Sequence, residues 1–204
     1  MQLSPELQQC SLAVATNVTP PLQCRMLEQC TQATFRMADF MKSWIIRERE
    51  YTHKLLGMVD LALMNDEEAR EFAGEDDSLA AGYKLLEAGP RSASPVKHGS
   101  AGSTLFHRTP EGEVRLFRCP AWPLVHATDP TGAGDSYMGA LAGYLTHCLN
   151  GGNPDWEDMK RGVAMATVVA AAVCEKFGTV SLFALTRRQL AERVEEFRRM
   201  TSWD

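Results

Sequence analysis

The segment from Asp129 to Tyr137 holds the residues of this sequence best suited to chemistry. It reads Asp-Pro-Thr-Gly-Ala-Gly-Asp-Ser-Tyr and leads into a helical pattern that continues to Leu149. Glycine is about 1 kcal/mol worse than alanine within a helix, so Gly132 and Gly134 at a helix start indicate close approach of a ligand to the backbone. Free N–H groups at such a helix end form an anion site suited to a phosphoryl group. Asp135, in the first turn, could accept the proton of an attacking hydroxyl.

The same segment also has a purely structural interpretation. A glycine-containing turn followed by an acidic residue in the first turn is common at helix N-termini. A G-x-G-D sequence by itself favours that interpretation. Asp129 and Thr131, which stand in register ahead of the glycines, favour the functional one.

The elements that must position this segment alternate in type along the first half of the chain. Apolar runs and helical patterns follow one another in this order: strand 11–16, helix 20–30, strand 34–38, helix 47–57, strand 59–64, helix 67–72, helix 79–88 and strand 94–97. Such alternation predicts βαβ units and an α/β fold, in which a mostly parallel sheet carries helices on both faces.

The second half of the chain follows a different pattern. Residues 104–118 predict a β-hairpin, because two extended runs flank the turn sequence Thr109–Gly112. Long helices are predicted at Gly134–Leu149 and Asp155–Lys176, and a last helix begins at Thr186, where Thr-x-x-Gln has capping-box spacing.

Composition limits the classes of function. The 204 residues are 45% hydrophobic and 23% charged, which fits one globular domain or two small ones, and the alternation of strands and helices favours a single α/β domain over residues 1–204. The net charge is −5 and basic residues form no run, so neither nucleic acid nor an anionic membrane is an expected partner. The longest uncharged apolar run, Val163–Cys174, is too short to span a bilayer. Without a Cys-x-x-Cys pair or a signal-peptide pattern, we expect reduced thiols and a cytoplasmic location.

Several other catalytic patterns are missing from the sequence. It has no H-E-x-x-H pair, no G-x-S-x-G elbow, no glycine completing a Rossmann fingerprint after Gly134 and no P-loop. Zincin-type hydrolases, serine hydrolases of the elbow type, dinucleotide enzymes and P-loop kinases are therefore poor candidates.

The segment Asp129–Tyr137 closely resembles the C-terminal signature of the PfkB carbohydrate kinases, the ribokinase-like family. The resemblance implies a three-layer αβα fold that transfers the γ-phosphate of ATP to a hydroxyl of a sugar or nucleoside. It further implies that Asp135 is the catalytic base. The amides of three residues would form the anion hole: Gly132, Ala133 and Gly134.

Two upstream segments match the family in the expected order. Asn65-Asp66-Glu67-Glu68 resembles the N-x-x-E motif that organises Mg²⁺ and phosphates, which makes Asn65 and Glu68 candidate nucleotide-site residues and Glu68 a candidate Mg²⁺ ligand. Asn followed by Glu three residues later is also a capping box, and the two roles are compatible. The segment from Lys97 to Gly102 resembles the nucleotide-contacting K/T-x-G-x-x-G sequence through Lys97, Gly99 and Gly102, although a plain hairpin-entry turn would look similar.

Weaker matches concern the cation and adenine sites. Asp129 and Thr131 fall where many members hold a monovalent cation, so K⁺ is a candidate ligand. Ala171, on a predicted buried helix, and Gly178 resemble the small-residue wall around adenine and the cation loop. Helix packing alone would explain small residues there equally well.

The resemblance extends over Leu12–Phe197 but corresponds to the C-terminal part of the family pattern. The first sugar-binding glycine motif and the lid strands have no recognisable counterpart, so we expect a domain that is N-terminally truncated relative to the family. Asp39 stands where many members have D-x-N-x-R, but Met41 and Ser43 replace the polar pair. This substitution argues against a phosphate or sugar contact there.

Two classes of function remain open. The first is an ATP-dependent carbohydrate kinase with a small sugar or nucleoside as acceptor. The second is a catalytically silent or partner-dependent nucleotide-binding module of the same fold, and a vitamin-type kinase of the superfamily is a lesser alternative. A homodimer or a partner chain would supply the lid, and an exposed apolar sheet edge would favour such association. No residue of the sequence identifies the acceptor.

Overall fold

A computed structural model describes residues 2–149 and 153–201 of the chain. The strands are β1 (Leu12–Ala15), β2 (Phe35–Asp39), β3 (Leu61–Asn65), β4 (Ala93–Lys97), β5 (Ser103–Arg108) and β6 (Val114–Cys119). The helices are α1 (Pro5–Gln8), α2 (Pro20–Gln29), α3 (Lys42–Arg47), α4 (Arg49–Leu56), α5 (Asp66–Ala73), α6 (Ser78–Glu87), α7 (Ala133–Cys148), α8 (Trp156–Cys174), α9 (Val180–Ala184) and α10 (Arg187–Thr201).

The six strands of the described residues form one sheet in the sequential order β1 to β6. Strands β1 to β4 run parallel, whereas β5 is antiparallel to both of its neighbours. The prediction of a mostly parallel sheet followed by a hairpin is therefore confirmed.

Helices cover both faces of this sheet. Crossovers between parallel strands are right-handed, so sequential strand order places the helices between β1 and β4 on one face. Helices α7, α8 and α10 pack on the other face. Strand β3 shows the division, because Leu61 and Leu63 join the core beneath α7 and α8 while Ala62 and Met64 join the opposite core. Burial on both faces explains why these strands read as continuous apolar runs. The predicted three-layer αβα arrangement is confirmed.

Short helices are where the predicted elements were incomplete. The helix expected at 47–57 is preceded by a separate helix, α3, that begins at Lys42, and Glu48, which lies between α3 and α4, has a non-helical backbone with φ −124° and ψ 46°. Helices α1 and α9 were not predicted. Each of these three helices has at most six residues, which is too few for a 3.6-residue period to be recognised.

The two edge strands differ in character. Strand β6 carries exposed Arg115 and Arg118, and charges of this kind discourage pairing with another strand. Strand β1 (Leu12–Ala15) has no charged residue. Among the helices of the described residues, none is long and apolar enough to cross a membrane.

Candidate active site

Three neighbouring parallel strands end in the polar residues Asp39, Asn65 and Lys97. The register pairs Asn65 with Lys97 and Asp39 with Leu63, so these strand ends meet at one edge of the sheet. Ligands of α/β sheets bind beyond the carboxyl ends of the strands. The candidate site therefore lies at this carboxyl edge.

Lys97 and Asp39, on β4 and β2, form a largely buried ion pair that spans the intervening strand β3. The Lys97 Nζ lies 3.3 Å from Asp39 Oδ1, and the two side chains are only 19% and 14% exposed. Burial raises the pKa of the Asp39 carboxyl, the Lys97 ammonium opposes this change, and the Asp135 carboxylate adds to it. Because Asp135 acts on Asp39 electrostatically, the signature segment and the strand ends belong to one charged cluster.

Helix α7 begins within the segment Asp129–Tyr137, and the backbone just before the helix makes a tight turn. Gly132 precedes the helix at φ 83°, a left-handed conformation that favours glycine. The amide of Ala133 donates to the carbonyl of Pro130 at 3.1 Å. Amides in the first turn of a helix have no intrahelical acceptor, and in the described structure no side chain caps α7 at Gly132.

The start of α7 faces the Lys97 ammonium. A Cβ atom built on Gly134 would lie 3.4 Å from Lys97 Nζ, so the absence of a side chain there leaves room for the ammonium. Asp135 is exposed in the first turn of the same helix. The structure thus brings together Gly134, Asp135, Lys97 and Asp39, which come from α7, β4 and β2.

Asn65 and Glu68 form the capping box that their spacing allows. The Glu68 amide donates to Asn65 Oδ1 at 2.8 Å, and the Asn65 amide donates to Glu68 Oε2 at 2.7 Å. Burial raises the pKa of Glu68. Hydrogen bonds from the backbone amides of Asn65 and Lys42 and the positive charge of Lys97 lower this pKa and oppose the effect of burial. The structural role of the pair is therefore observed, and the same carboxylate lies within the electrostatic range of Lys97.

The loop after β4 is constrained by its glycines. Gly102 has φ 90°, and a Cβ atom there would collide with the carbonyl oxygen of Cys119, so only glycine fits. The His98 amide donates to the Gly102 carbonyl at 2.7 Å, which closes the loop around Gly99. The loop from Lys97 to Gly102 is therefore held in a tight turn at the carboxyl edge.

Asp129 joins the signature segment to the loop after α8. Its carboxylate accepts the amides of Thr131 at 2.9 Å and of Gly178 at 3.4 Å. Hydrogen bonds from the Thr131 hydroxyl and amide hold the pKa of Asp129 below its ordinary value. Nowhere in residues 2–149 and 153–201 do three His, Cys, Asp or Glu side chains gather closely enough to hold a metal ion.

An open groove of about 650 Å³ runs along α7 from Asp135. Gly139 and Gly143 line its α7 wall, and Met165 of α8, Leu182 of α9 and Leu190 of α10 are among its apolar residues. Ala171 is buried on α8 and is not among the described residues that line this groove.

Asp39 is a residue of the candidate site that the sequence pattern did not single out. Replacement of the expected polar pair by Met41 and Ser43 argues against a phosphate or sugar contact in this segment, and the structure shows the Asp39 carboxylate in contact with Lys97. The available signal was an acidic residue at the end of a buried strand. Its partner lies 58 residues away in the sequence, so spacing alone did not connect the two.

Comparisons with solved structures show the same fold in three kinases. Ribokinase from Giardia lamblia superposes with a TM-score of 0.70 at 20% identity, over 94% of this chain and 61% of that one. Aminoimidazole riboside kinase from Salmonella enterica superposes with a TM-score of 0.74 at 18% identity, over 94% of this chain and 66% of that one. The nucleoside kinase from Methanocaldococcus jannaschii superposes with a TM-score of 0.70 at 20% identity, over 91% of this chain and 56% of that one. The chain spans roughly three fifths of the length of these structures.

A search of curated proteins gives no match to this chain. The sequence profile of the pfkB family carbohydrate kinases, in contrast, matches residues 4–185, which is most of the chain. The profile match agrees with the fold and with the order of the motifs along the sequence. On this ground the chain belongs to the pfkB family of carbohydrate kinases.

Proposed function

We propose that the chain is an ATP-dependent phosphotransferase that moves the γ-phosphate to a hydroxyl of a sugar or nucleoside. Family membership and the kinase neighbours support a sugar or nucleoside kinase in general. The observation that carries the proposal is the convergence of the Lys97 ammonium, the start of α7 and the Asp135 carboxylate at the carboxyl edge of the sheet.

Phosphoryl transfer needs few reactive groups, since catalysis comes from positioning and from stabilising charge. In the proposed mechanism, Asp135 takes the proton of the acceptor hydroxyl. The amides of Gly132, Ala133 and Gly134 bind the developing charge on the transferred group. In the described structure the Ala133 amide already donates to the Pro130 carbonyl, so we expect the amides of Gly132 and Gly134 to contribute more to this binding.

The nucleotide and Mg²⁺ would bind next to this helix start. Mg²⁺ in kinase sites is held by one or two carboxylates together with phosphate oxygens. A single protein carboxylate, Glu68, is compatible with that arrangement. Lys97, Gly99 and Gly102 are the proposed nucleotide contacts from the loop after β4, and Asn65 positions Glu68 through the capping box.

The proposed K⁺ site involves Asp129 and Thr131, with Gly178 in the adjoining loop. Support comes from the hydrogen bond between the Gly178 amide and Asp129, which draws the two loops together. Ala171, one turn before the end of α8, is proposed to support the adenine side of the site through close packing of that helix.

The test is a panel of sugars and nucleosides assayed for acceptor-dependent ATP turnover by the wild-type chain and by Asp135→Asn. We expect the substitution to lower kcat by about 10²- to 10⁴-fold, the usual contribution of a general base. Asp158→Asn is the matched control, because Asp158 occupies the same first-turn position in α8 as Asp135 does in α7. Turnover that is undiminished in Asp135→Asn would exclude Asp135 as the base.

The second candidate is a nucleotide-binding module that is silent or needs a partner for activity. The uncharged edge of β1 favours it, as does the open space in front of Gly139 and Gly143 on α7. A second copy or a partner chain would pair beside β1 and supply a lid. Nucleotide binding without acceptor-dependent turnover would favour this candidate, and a monomer at high concentration by light scattering would contradict the homodimer.

A further inference from the structure

Three separate elements place charge at one point of the carboxyl edge. Lys97, at the end of β4, reaches Asp39 Oδ1 at the end of β2 over 3.3 Å. The same ammonium lies against Gly134 in the first turn of α7. Glu68 and Asp135 act on this cluster through space, whereas the direct hydrogen bond of Lys97 is to Asp39.

We propose that Asp39 is a positioning residue, whose carboxylate holds the Lys97 ammonium against the start of α7, where the ammonium binds the transferred phosphoryl group. The inference deepens the proposed function and rests on it. Asp39 acts only through Lys97 and does not itself contact the substrate.

The physical reason is that Lys97 would not remain there unaided. The N-terminus of a helix carries partial positive charge, so it repels an ammonium. A lysine side chain also extends readily toward water when nothing holds its end. The Asp39 carboxylate offsets both effects, and the rotamer entropy of the lysine is lost before the nucleotide arrives.

The experiment measures binding of two magnesium nucleotides to the full chain by calorimetry. One is AMP-PNP, a non-hydrolysable ATP analogue, and the other is ADP, which lacks the γ-phosphate. The variants are Asp39→Asn, Lys97→Met and the combination of the two. Asp60→Asn is the matched control, because Asp60 forms an ion pair with Arg91 at the amino ends of the same parallel strands, away from the candidate site.

We expect Lys97→Met to weaken AMP-PNP binding by about 10- to 100-fold, the loss of one charge-assisted hydrogen bond. Asp39→Asn should weaken it by about threefold to tenfold, the effect of leaving one long side chain unordered. ADP affinity should change by less than about twofold in both, since the contact is to the γ-phosphate. In the Lys97→Met background, Asp39→Asn should leave AMP-PNP affinity unchanged or increase it, because an unpaired carboxylate beside the anion is removed.

The different effect of Asp39→Asn in the wild-type and Lys97→Met backgrounds distinguishes a positioning role from simple repulsion of the phosphate and from a purely structural role. If Asp39→Asn improves AMP-PNP binding in both backgrounds, the carboxylate only repels the phosphate and the inference is wrong. If it weakens binding equally in both, or weakens ADP binding as much, Asp39 is merely structural and the inference is again wrong. If the wild-type chain binds neither nucleotide, the proposed function fails, and the inference fails with it.

Folding of the variants is checked by thermal unfolding. Should Asp39→Asn not fold, Asp39→Glu takes its place, because it keeps the charge and displaces it by one methylene. Weaker AMP-PNP binding with unchanged ADP binding would then support the inference, and unchanged binding of both would overturn it.

Discussion

The parallel strands carry an aspartate paired with a basic residue at each of their two ends, the amino edge and the carboxyl edge of the sheet. The two pairs differ in their surroundings. At the amino edge, just before β3, Asp60 Oδ2 accepts the Arg36 amide at 2.8 Å and Asp60 Oδ1 accepts Arg91 at 3.2 Å. Arg91 is more than half exposed. At the carboxyl edge, Asp39 and Lys97 are both largely buried, and two further carboxylates act on them.

The difference distinguishes a charge that completes the sheet from one for which we propose a positioning role. Asp60 satisfies a backbone amide of the neighbouring strand, so its carboxylate completes the hydrogen bonding of the sheet. The Asp39 side chain pairs with a lysine, and burial penalises its charge. Charged groups whose burial is energetically unfavourable, gathered beside a helix N-terminus, are a common feature of binding sites.

The largest expected difference is in stability. We expect Asp60→Ala to lower the free energy of unfolding by about 2 kcal/mol, because the Arg36 amide loses its acceptor. Asp39→Ala should cost less than about 1 kcal/mol, because the substitution removes the unfavourable burial of the Asp39 charge and the Lys97 ammonium can extend to water rather than stay buried without a partner. Urea unfolding of both variants measures the difference. An Asp39→Ala variant at least as destabilised as Asp60→Ala would contradict the contrast between the two edges.

A smaller effect concerns the dependence of stability on pH. Burial raises the pKa of Asp39, so the folded state holds this proton more tightly than the unfolded state does. The contribution of Asp39 to stability is therefore most favourable below its ordinary pKa of about 4 and declines as pH rises through the raised value. We expect the stability of the wild-type chain, relative to Asp39→Asn, to fall as the pH rises above about 4. Unfolding curves at a series of pH values test this, and a rise in relative stability above about pH 4 would show that the attraction of Lys97 outweighs the effect of burial.

The smallest effect is expected where the signature segment meets the loop after α8. Asp129→Ala removes the acceptor of the Thr131 and Gly178 amides. Because the carboxylate is exposed, hydrogen exchange of these two amides should become faster while the unfolding midpoint stays close to that of the wild type. A shift of the midpoint as large as that of Asp60→Ala would show that this loop contact is structural.

Much of the architecture could be predicted from the sequence because its signals are local. The apolar run before Asn65 marks a strand buried on both faces. The turn sequence Thr109–Gly112 predicts the hairpin, and the spacing of Thr186 and Gln189 predicts the capping box that the structure contains. Short helices such as α3 and α9 gave no comparable signal, since one or two turns show too little periodicity.

The sequence by itself determined the local structure of single segments, such as the helix start with its glycines and aspartate at α7 and the Asn65–Glu68 cap. These depend on residues that are at most a few positions apart, so backbone geometry connects them. The tertiary structure alone decided that Asp39 meets Lys97, and that Lys97 meets Gly134. Parallel strands bring their carboxyl ends to one edge whatever their separation in the chain, and the register of that edge is set by packing of the whole sheet.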